Sequence, residues 1–179
     1  MRIIAFTGKR GHGKSTAAEA AVRQYGYVHL NFADPLREVC HVAYGVTYEE
    51  MSDPVLKEKV LERWPFKSPR ELLQQIGTEM FRAYLDDTWV TNWMNRASQA
   101  LADAPGVVCS DCRFLNEAAA IRSVGGKIIK VERPSLVRAD LAAQHQSEVE
   151  IDKIAVDRVL INDRSMADLE AAALAAIIG

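Results

Sequence analysis

Short apolar runs alternate with longer helix-forming segments along most of this chain. Five of the runs are rich in β-branched and aromatic residues, which is typical of buried strands. Helical segments separate most of them, and this alternation predicts a parallel sheet covered by helices on both faces. Ligands of such α/β folds bind at the carboxyl ends of the strands. The predicted strands span residues 2–6, 27–32, 106–110, 127–132 and 158–161.

Two long segments interrupt this alternation and predict additions to the sheet. Residues 34–104 are too long for one crossover helix and contain predicted helices near 69–85 and 88–103. We interpret this stretch as a helical insertion that binds a second substrate. Residues 133–152 are polar and show no apolar stripe, which suits a lid. The core of what we expect to be a single domain is then formed by residues 1–33, 105–132 and 153–179.

The helix predicted near 69–85 has an apolar and a polar face. Its apolar positions recur at helical spacing and are expected in the core: Leu73, Ile76, Met80 and Tyr84. The polar positions are spaced by four and form either a solvated face or a pocket for a base, a ribose or a phosphate: Arg70, Gln74, Thr78 and Arg82. Gly77 costs about 1 kcal/mol relative to alanine inside a helix. Close approach of a ligand or of another helix would explain it.

Other apolar residues of the insertion, and the C-terminal helix, have simpler interpretations. Trp89 and Trp93 lie four residues apart on one predicted helix. Core packing is the simpler role for both, and stacking of Trp89 on a base is the alternative.

Five apolar residues of the insertion either pack inward, which we favour, or form a homodimer contact: Val55, Leu56, Val60, Leu61 and Trp64. The C-terminal helix is expected to begin near Ser165, with Asp168 in its first turn, and is too short to span a bilayer.

The composition is that of an ordinary globular protein. The 179 residues are 49% hydrophobic and 26% charged with a net charge of −2, so nothing indicates stable binding of nucleic acid. Three cysteines give no disulfide framework, and Cys109 and Cys112 lack the second Cys/His pair of a zinc site. Because no secretory signal or membrane span is evident, we expect a cytoplasmic protein with reduced thiols.

The most specific motif lies between the first predicted strand and the first predicted helix. Residues 8–15 read Gly-Lys-Arg-Gly-His-Gly-Lys-Ser and match G-x-x-x-x-G-K-S without a mismatch. The glycines let the backbone turn tightly, so that successive N–H groups point at phosphate oxygens. Lys14 supplies charge to the β- and γ-phosphates, and the Ser15 hydroxyl suits Mg²⁺. The predicted ATP-binding residues are Gly8, Gly11, His12, Gly13, Lys14, Ser15 and Thr16.

Asp111 follows the third predicted strand and is the second candidate ligand for Mg²⁺, usually through water. A compatible alternative is the N-cap of a helix that begins near Phe114. No acidic residue follows Asp111 directly, and the chain contains no Asn-Lys-x-Asp motif. The sequence therefore lacks the acidic pair of mechanical ATPases and the guanine-binding motif of GTPases.

Arginines follow three of the predicted strands, at the edge where phosphates would bind. Arg37 comes after the second strand, Arg113 after the third and Arg133 after the fourth. Arg138 lies in the predicted lid. Arginine holds phosphate through two parallel hydrogen bonds and stabilises the charge of a transferring phosphoryl group. This recurrence predicts phosphoryl transfer, with Lys14, Arg113, Arg133 and Arg138 as catalytic residues.

Several sequence blocks together resemble phage deoxynucleoside monophosphate kinases. The phosphate loop alone is generic, but the blocks are much more specific in combination, and the resemblance covers residues 2–165. The blocks are Gly8–Thr16, Phe32-Ala33-Asp34-Pro35-Leu36-Arg37, Arg70-Glu71-Leu72-Leu73-Gln74-Gln75-Ile76-Gly77-Thr78-Glu79, Trp89, and Ser110-Asp111-Cys112-Arg113-Phe114-Leu115-Asn116-Glu117-Ala118.

The resemblance implies a nucleoside monophosphate kinase fold, in which a helical monophosphate-binding insertion and a lid join a P-loop core of three α/β/α layers around a five-stranded parallel sheet. It also implies ATP and Mg²⁺ as cofactors and a deoxynucleoside 5′-monophosphate as the acceptor. Arg37 and Arg113 would hold the acceptor phosphate, and Arg133 and Arg138 would close from the lid. The substrate-binding residues would be Asp34, Arg37, Arg70, Gln74, Gly77, Thr78, Arg82, Trp89 and Arg113.

We therefore expect an ATP-dependent kinase that converts deoxynucleoside monophosphates to diphosphates by direct in-line transfer. Another small-molecule P-loop kinase, such as a dephospho-coenzyme A kinase, is the nearest alternative. An ATP-dependent DNA-processing module is more distant, because the acidic pair is missing and the charge is near neutral. A protein that binds nucleotides without turning them over is the third alternative. The run His145-Gln146-Ser147-Glu148 is explained by a helix cap.

Overall fold

The computed structural model describes residues 3–136 and 149–179. The strands are β1 (Ile3–Thr7), β2 (Val28–His29), β3 (Val107–Cys109), β4 (Lys127–Glu132) and β5 (Arg158–Ile161). The α-helices are α1 (Lys14–Tyr25), α2 (Asp34–Tyr44), α3 (Tyr48–Ser52), α4 (Pro69–Gln74), α5 (Thr88–Ala100), α6 (Leu115–Ser123) and α7 (Met166–Ile178). A π-helical segment, Gln75–Arg82, follows α4, and 3₁₀ turns span Leu56–Glu58 and Glu150–Lys153.

The chain divides into two compact units. The sheet unit comprises Met1–Asn31 and Trp93–Gly179, and the helical unit comprises Phe32–Asn92. The phosphate loop and all five strands belong to the sheet unit.

The five strands form one parallel sheet in the order β2-β3-β1-β4-β5, which confirms the predicted α/β fold. In its register, Ile4 of β1 lies beside Val108 of β3 and Lys127 of β4. Because β1 is central, the loop after it emerges between the carboxyl ends of β3 and β4. The residues that follow these two strands are therefore the neighbours of the phosphate loop.

The core of the sheet unit packs small helical residues against bulky strand residues. Ala17 and Ala21 of α1 and Ala173 of α7 are fully buried with Phe6 and Ile129 of the strands. Alanine is the best helix former and has a short side chain, so helices rich in it pack closely on one another and on a sheet. The C-terminal helix begins after Ser165, which accepts a hydrogen bond from the Asp168 backbone, as predicted.

The second strand is shorter than predicted. After His29, the backbone carbonyls accept hydrogen bonds from side chains. The Trp93 indole donates to the Leu30 carbonyl at 2.9 Å, and Arg96 donates to the Asn31 carbonyl at 3.2 Å. These carbonyls satisfy their hydrogen-bonding needs away from a strand ladder. The pattern of apolar residues over 27–32 did not reveal that competition.

The helical unit has a core of its own. Leu36 and Cys40 of α2, Met51 of α3 and Leu72 of α4 are buried there together with Trp89. The start of α4 carries a complete capping box, because Ser68 accepts a hydrogen bond from the Glu71 nitrogen while Glu71 accepts one from the Ser68 nitrogen. Such caps satisfy backbone groups that a helix terminus otherwise leaves without partners.

The predicted faces of the helix near 69–85 are correct only as far as Ile76. Leu73 and Ile76 pack in the core of the helical unit, but Met80 is 57% exposed and Tyr84 is 92% exposed. From Gln75 to Arg82 the backbone forms π-type hydrogen bonds, each reaching back five residues instead of four. A turn then holds more residues, so positions spaced by four leave the original face. Arg82, predicted on the polar stripe, is buried.

Inward packing of the apolar residues between 55 and 64 is wrong for three of them. Leu61 is buried, whereas Val55, Val60 and Trp64 are exposed. The 3₁₀ turn at Leu56–Glu58 is the only regular element in this stretch, so no helical periodicity directs its side chains to one face. Tyr44 stacks on Trp64 with ring centroids 5.3 Å apart. In the part of the chain that the structure describes, none of the helices has the length and apolar character needed to cross a bilayer.

Candidate active site

The phosphate loop is shaped by three glycines with positive φ. Gly8 has φ of 131°, Gly11 of 77° and Gly13 of 101°, conformations that residues with a side chain rarely adopt. A Cβ on Gly8 would lie 2.3 Å from the Val131 carbonyl oxygen, and one on Gly13 would lie 2.6 Å from Asn162 Nδ2. The loop is thus in close contact with the ends of β4 and β5.

Lys14 begins α1 immediately after this loop. Its side chain is buried, and Nζ donates a hydrogen bond to the Lys9 carbonyl at 2.8 Å. Because Gly13 is the N-cap, no side chain caps α1, and its first turn contains no acidic residue. A helix N-terminus of this kind attracts phosphate through its backbone N–H groups and its dipole. Ser15, the next residue, is exposed.

His12 and Asn162 attach the phosphate loop to the neighbouring strands. The His12 Nδ1 atom lies 3.1 Å from the Val131 carbonyl oxygen and 3.3 Å from the Arg133 backbone nitrogen. Asn162 donates to the His12 carbonyl at 2.9 Å. Burial lowers the pKa of His12, and the charge of Lys14 acts in the same direction, so the ring is neutral near pH 7.

Asp111 and Arg113 lie in the segment after β3, the strand that neighbours β1 in the sheet. Buried Glu117 fixes this segment by accepting hydrogen bonds from the backbone nitrogens of Arg113, at 2.8 Å, and Phe114, at 3.1 Å. Asp111 accepts a hydrogen bond from the Cys109 thiol at 3.2 Å. The alternative interpretation of Asp111 as a helix N-cap is wrong, because α6 begins at Leu115 and its N-cap is Phe114.

The hydroxyl of Ser15 and the carboxylate of Asp111 fit Mg²⁺ chemically. Mg²⁺ prefers oxygen ligands and is usually held by one or two carboxylates together with substrate phosphates and water. Within residues 3–136 and 149–179, no cluster of three or more His, Cys, Asp or Glu side chains is arranged to hold a metal ion. Cys40, Cys109 and Cys112 are buried and form no disulfide in the structure. Burial raises the pKa of both Cys109 and Cys112 well above the usual range.

A second polar cluster lies at the ends of β2 and β3. Asn31 Oδ1 accepts hydrogen bonds from the backbone nitrogen of Ser110 at 3.0 Å and from its hydroxyl at 3.1 Å. His29 Nε2 is 2.9 Å from the same hydroxyl. These bonds hold Ser110, the residue before Asp111. The backbone around Asp111 is therefore held by Asn31 on its N-terminal side and by Glu117 on its C-terminal side.

The helical unit carries most of the predicted acceptor-binding residues. Arg37 forms an ion pair with Asp34 at 3.2 Å, and its Nε is buried without a hydrogen-bond partner among the described residues. Arg70 is paired with Glu58 at 2.5 Å. Gln74 and Thr78 are half-buried. Arg82 donates to the backbone carbonyl of Asp86 at 3.3 Å.

Gly77 and Trp89 have packing roles within the helical unit. A Cβ on Gly77 would lie 2.6 Å from Cδ2 of buried Leu36, so close contact with α2 explains the glycine. The Trp89 indole donates to the Gly77 carbonyl at 3.0 Å, and its ring packs against Phe81. These contacts favour core packing over base stacking for Trp89.

The remaining predicted residues lie around the predicted lid. Arg133 follows β4 and is exposed. Arg138 and the run from His145 to Glu148 lie outside the described residues.

Sequence reasoning assigned no role to Glu117, Asn162 or Asn31. Glu117 lies three residues after the N-cap of α6, but that N-cap is Phe114 and not Ser or Thr, so the sequence carries no capping-box signal for it. Asn162 and Asn31 act through contacts far along the chain, to His12 and Ser110, and no local pattern reveals them.

Comparisons with known proteins show the family of this chain. Residues 56–172 match the family model of deoxynucleotide monophosphate kinases. The chain belongs to this family. A protein of Acanthamoeba polyphaga mimivirus, provisionally named a deoxynucleotide monophosphate kinase, is 33% identical over 183 residues, which cover 93% of this chain and 91% of that protein. The family resemblance expected from the sequence is thereby confirmed, and the chain is a nucleotide kinase.

Solved structures of other kinases share the fold. A dephospho-CoA kinase from Campylobacter jejuni has a TM-score of 0.57 at 15% identity, covering 99% of this chain and 96% of that one. A shikimate kinase from Aquifex aeolicus has a TM-score of 0.58 at 14% identity, covering 100% and 97%. At such low identities the likeness shows the fold, which is that of P-loop kinases.

Proposed function

We propose that this nucleotide kinase transfers the γ-phosphoryl group of ATP to a deoxynucleoside 5′-monophosphate, giving ADP and a deoxynucleoside diphosphate. The observation that carries the proposal is the phosphate loop of a deoxynucleotide monophosphate kinase family member. Lys14 lies at the end of this loop, and Glu117 fixes the backbone of Arg113 in the segment that follows the neighbouring strand β3. The family supports a nucleotide kinase, and the deoxynucleotide acceptor is the specific part of the proposal.

The phosphate loop is the proposed ATP site. Its backbone N–H groups and the N-terminus of α1 would hold the donor phosphates. On binding, Lys14 Nζ exchanges its bond to the Lys9 carbonyl for the β- and γ-phosphate oxygens. Mg²⁺, held by Ser15 and Asp111 with the phosphates, would neutralise charge that develops during transfer.

Residues of the helical unit are proposed to bind the acceptor nucleotide, and Arg113 is proposed to contact the acceptor phosphate. The buried Nε of Arg37 has no hydrogen-bond partner within residues 3–136 and 149–179, which supports a phosphate as its ligand. Arg70, Gln74 and Thr78 are proposed to contact the nucleoside. Asp34 orients Arg37, while Gly77, Arg82 and Trp89 would shape the pocket through the packing contacts they make.

No general base is required in this reaction. An oxygen of the acceptor phosphate is already a competent nucleophile near neutral pH and attacks the γ-phosphorus as the bond to the β-phosphate oxygen breaks. Catalysis then consists of positioning and of charge stabilisation. Arg113, Arg133 and Arg138 are proposed to supply that stabilisation, and exclusion of water by the predicted lid would limit hydrolysis of ATP.

The test is an assay of ADP release with ATP and Mg²⁺ in which each acceptor is supplied separately. The acceptors are dAMP, dGMP, dCMP, dTMP and their ribose forms, with dephospho-CoA and single-stranded DNA as rival ligands. Release that depends on a deoxynucleoside monophosphate, with the diphosphate identified as product, supports the proposal. Release that depends instead on dephospho-CoA or on DNA, or on no acceptor at all, rejects it.

A further inference from the structure

The side chain of His12 lies between the phosphate loop and the end of β4. Its Nδ1 faces two backbone groups at once, the Val131 carbonyl at 3.1 Å and the Arg133 nitrogen at 3.3 Å. Through these two contacts His12 links the phosphate loop to the segment that carries Arg133.

One nitrogen cannot serve both of these backbone groups in the same way. A proton on Nδ1 would be donated to the Val131 carbonyl, whereas a lone pair on Nδ1 accepts the Arg133 N–H. The neutral ring has a proton on only one of its nitrogens. With the proton on Nδ1 the ring holds Val131, two residues before Arg133, and with the proton on Nε2 it holds the Arg133 nitrogen itself. In both states the imidazole holds the end of β4 and the residue after it against the loop.

The peptide of His12 is held as firmly as its ring. Asn162 donates to the His12 carbonyl at 2.9 Å, and the Asn162 nitrogen donates to the Glu132 carbonyl at 2.7 Å. These bonds join the loop, β4 and the end of β5 in one closed set of contacts. The backbone of Arg133 is consequently held to the loop by His12 and by this set of contacts, while the arginine side chain is exposed.

We propose that His12 is a positioning residue, which holds the Arg133 backbone against the phosphate loop so that the guanidinium reaches the transferring phosphoryl group. The proposal rests on the proposed function, because it concerns the alignment of an arginine in that reaction. A misplacement of about 1 Å in such a group can cost about 100-fold in rate. His12 acts through Arg133 and itself makes no contact with the reacting atoms.

The test is a double-mutant cycle with a rescue variant. His12→Phe keeps a ring but removes the hydrogen bond, His12→Asn restores a short polar group near the position of Nδ1, and Arg133→Ala removes the guanidinium. His41→Phe is the matched control, because His41 Nδ1 makes a similar bond to a backbone carbonyl, that of Val46 at 3.0 Å, in the helical unit. Thermal unfolding of each variant checks that it is folded.

We expect His12→Phe to lower kcat by about 10- to 100-fold, with the KM of the acceptor changed much less. His12→Asn should recover most of the loss, and His41→Phe should leave kcat near the wild-type value. Arg133→Ala should lower kcat strongly in the wild-type background and by less than about 3-fold in the His12→Phe background. Equal losses from Arg133→Ala in both backgrounds, or an unchanged kcat in His12→Phe, would overturn the proposal.

Calorimetric affinity for ATP separates this proposal from the proposed function. If the wild-type protein phosphorylates no monophosphate, the proposed function is rejected. The double-mutant cycle is then repeated with the Kd of ATP as the measured quantity in place of kcat. If the effects of His12→Phe and Arg133→Ala on that Kd are not additive, they still support the positioning of Arg133 by His12. Additive effects, or none, would reject it.

Discussion

Glu117 holds Arg113 through its backbone: the carboxylate accepts the Arg113 N–H at 2.8 Å from a position that is only 2% exposed. The same oxygen accepts the Phe114 N–H. A buried anion aligned with two N–H groups fixes the loop that carries both Asp111 and Arg113. The arginine side chain thus emerges from a backbone that is set by α6.

Replacement of Glu117 should therefore reduce turnover although the residue is remote from the phosphates. We expect Glu117→Ala to lower kcat about 10-fold or more and to destabilise the fold by about 1–3 kcal/mol, since two buried N–H groups lose their acceptor. Glu117→Gln retains an acceptor oxygen and should remain much closer to wild type in both respects. Steady-state kinetics and urea unfolding measure these effects, and equal kcat losses in the two variants would contradict this explanation.

Lys14 and Arg113, which lie in the segments after β1 and β3, should be required for turnover but not for folding. We expect Lys14→Ala and Arg113→Ala each to lower kcat/KM by about 100-fold or more, because each removes a cation proposed to contact phosphate. Arg23→Ala is the control on α1, where an exposed pair with Glu170 at 2.7 Å should contribute little. Near-normal turnover in either active-site variant, with cooperative unfolding retained, would refute its assigned role.

The close contact between Gly8 and Val131 makes the phosphate loop intolerant of any side chain at position 8. Gly8→Ala should destabilise the protein by more than about 2 kcal/mol and abolish detectable ATP binding, because both φ and the carbonyl contact at 2.3 Å oppose a Cβ. Gly125 is the matched control, with φ of 74° and no atom within 4 Å of an added Cβ. Gly125→Ala should cost only about 1 kcal/mol of backbone strain and leave ATP affinity unchanged. Similar losses in both variants would show that the close contact is unimportant.

Much of the fold was predictable because its signals are local. Each strand is a short apolar run, and the phosphate loop is a contiguous motif whose glycines and lysine have defined purposes. The faces of the helix after Ile76 were not predictable, because the π-type turns from Gln75 to Arg82 change the spacing on which the prediction depends. The contact of Asn162 with His12 joins residues far apart in sequence, so only the folded chain reveals it.

Gly77 offers a direct test of whether packing or ligand approach explains a glycine in that helix. Gly77→Ala should destabilise the protein by about 1–2 kcal/mol, since the new methyl group would lie 2.6 Å from Leu36 Cδ2. In a Leu36→Ala background the clash is gone, and the same change should instead stabilise by up to about 1 kcal/mol through helix propensity. Urea unfolding of the four proteins measures the change of sign. A stabilising Gly77→Ala in the wild-type background would exclude the packing explanation.

Acid should weaken the helical unit through Glu50. Arg63 donates to both carboxylate oxygens, at 3.0 and 2.8 Å, and this pairing, with help from the Thr47 backbone, lowers the pKa of Glu50 from 4.5 to about 2. A carboxyl whose pKa is lower in the folded state stabilises the protein above its unfolded pKa, and that contribution is lost as the pH falls from about 4.5 to about 2.

Glu50→Gln should accordingly lower the free energy of unfolding by about 1 kcal/mol at pH 7, a modest value because the pair is partly exposed. The difference from wild type should shrink as the pH falls below about 4.5 and disappear near pH 2. Arg63→Gln should show the same dependence, because it removes the partner that lowers the pKa of Glu50. Urea unfolding at a series of pH values gives the comparison. A difference between wild type and Glu50→Gln that stays constant from pH 7 to pH 3 would mean that the pair does not titrate as this geometry requires.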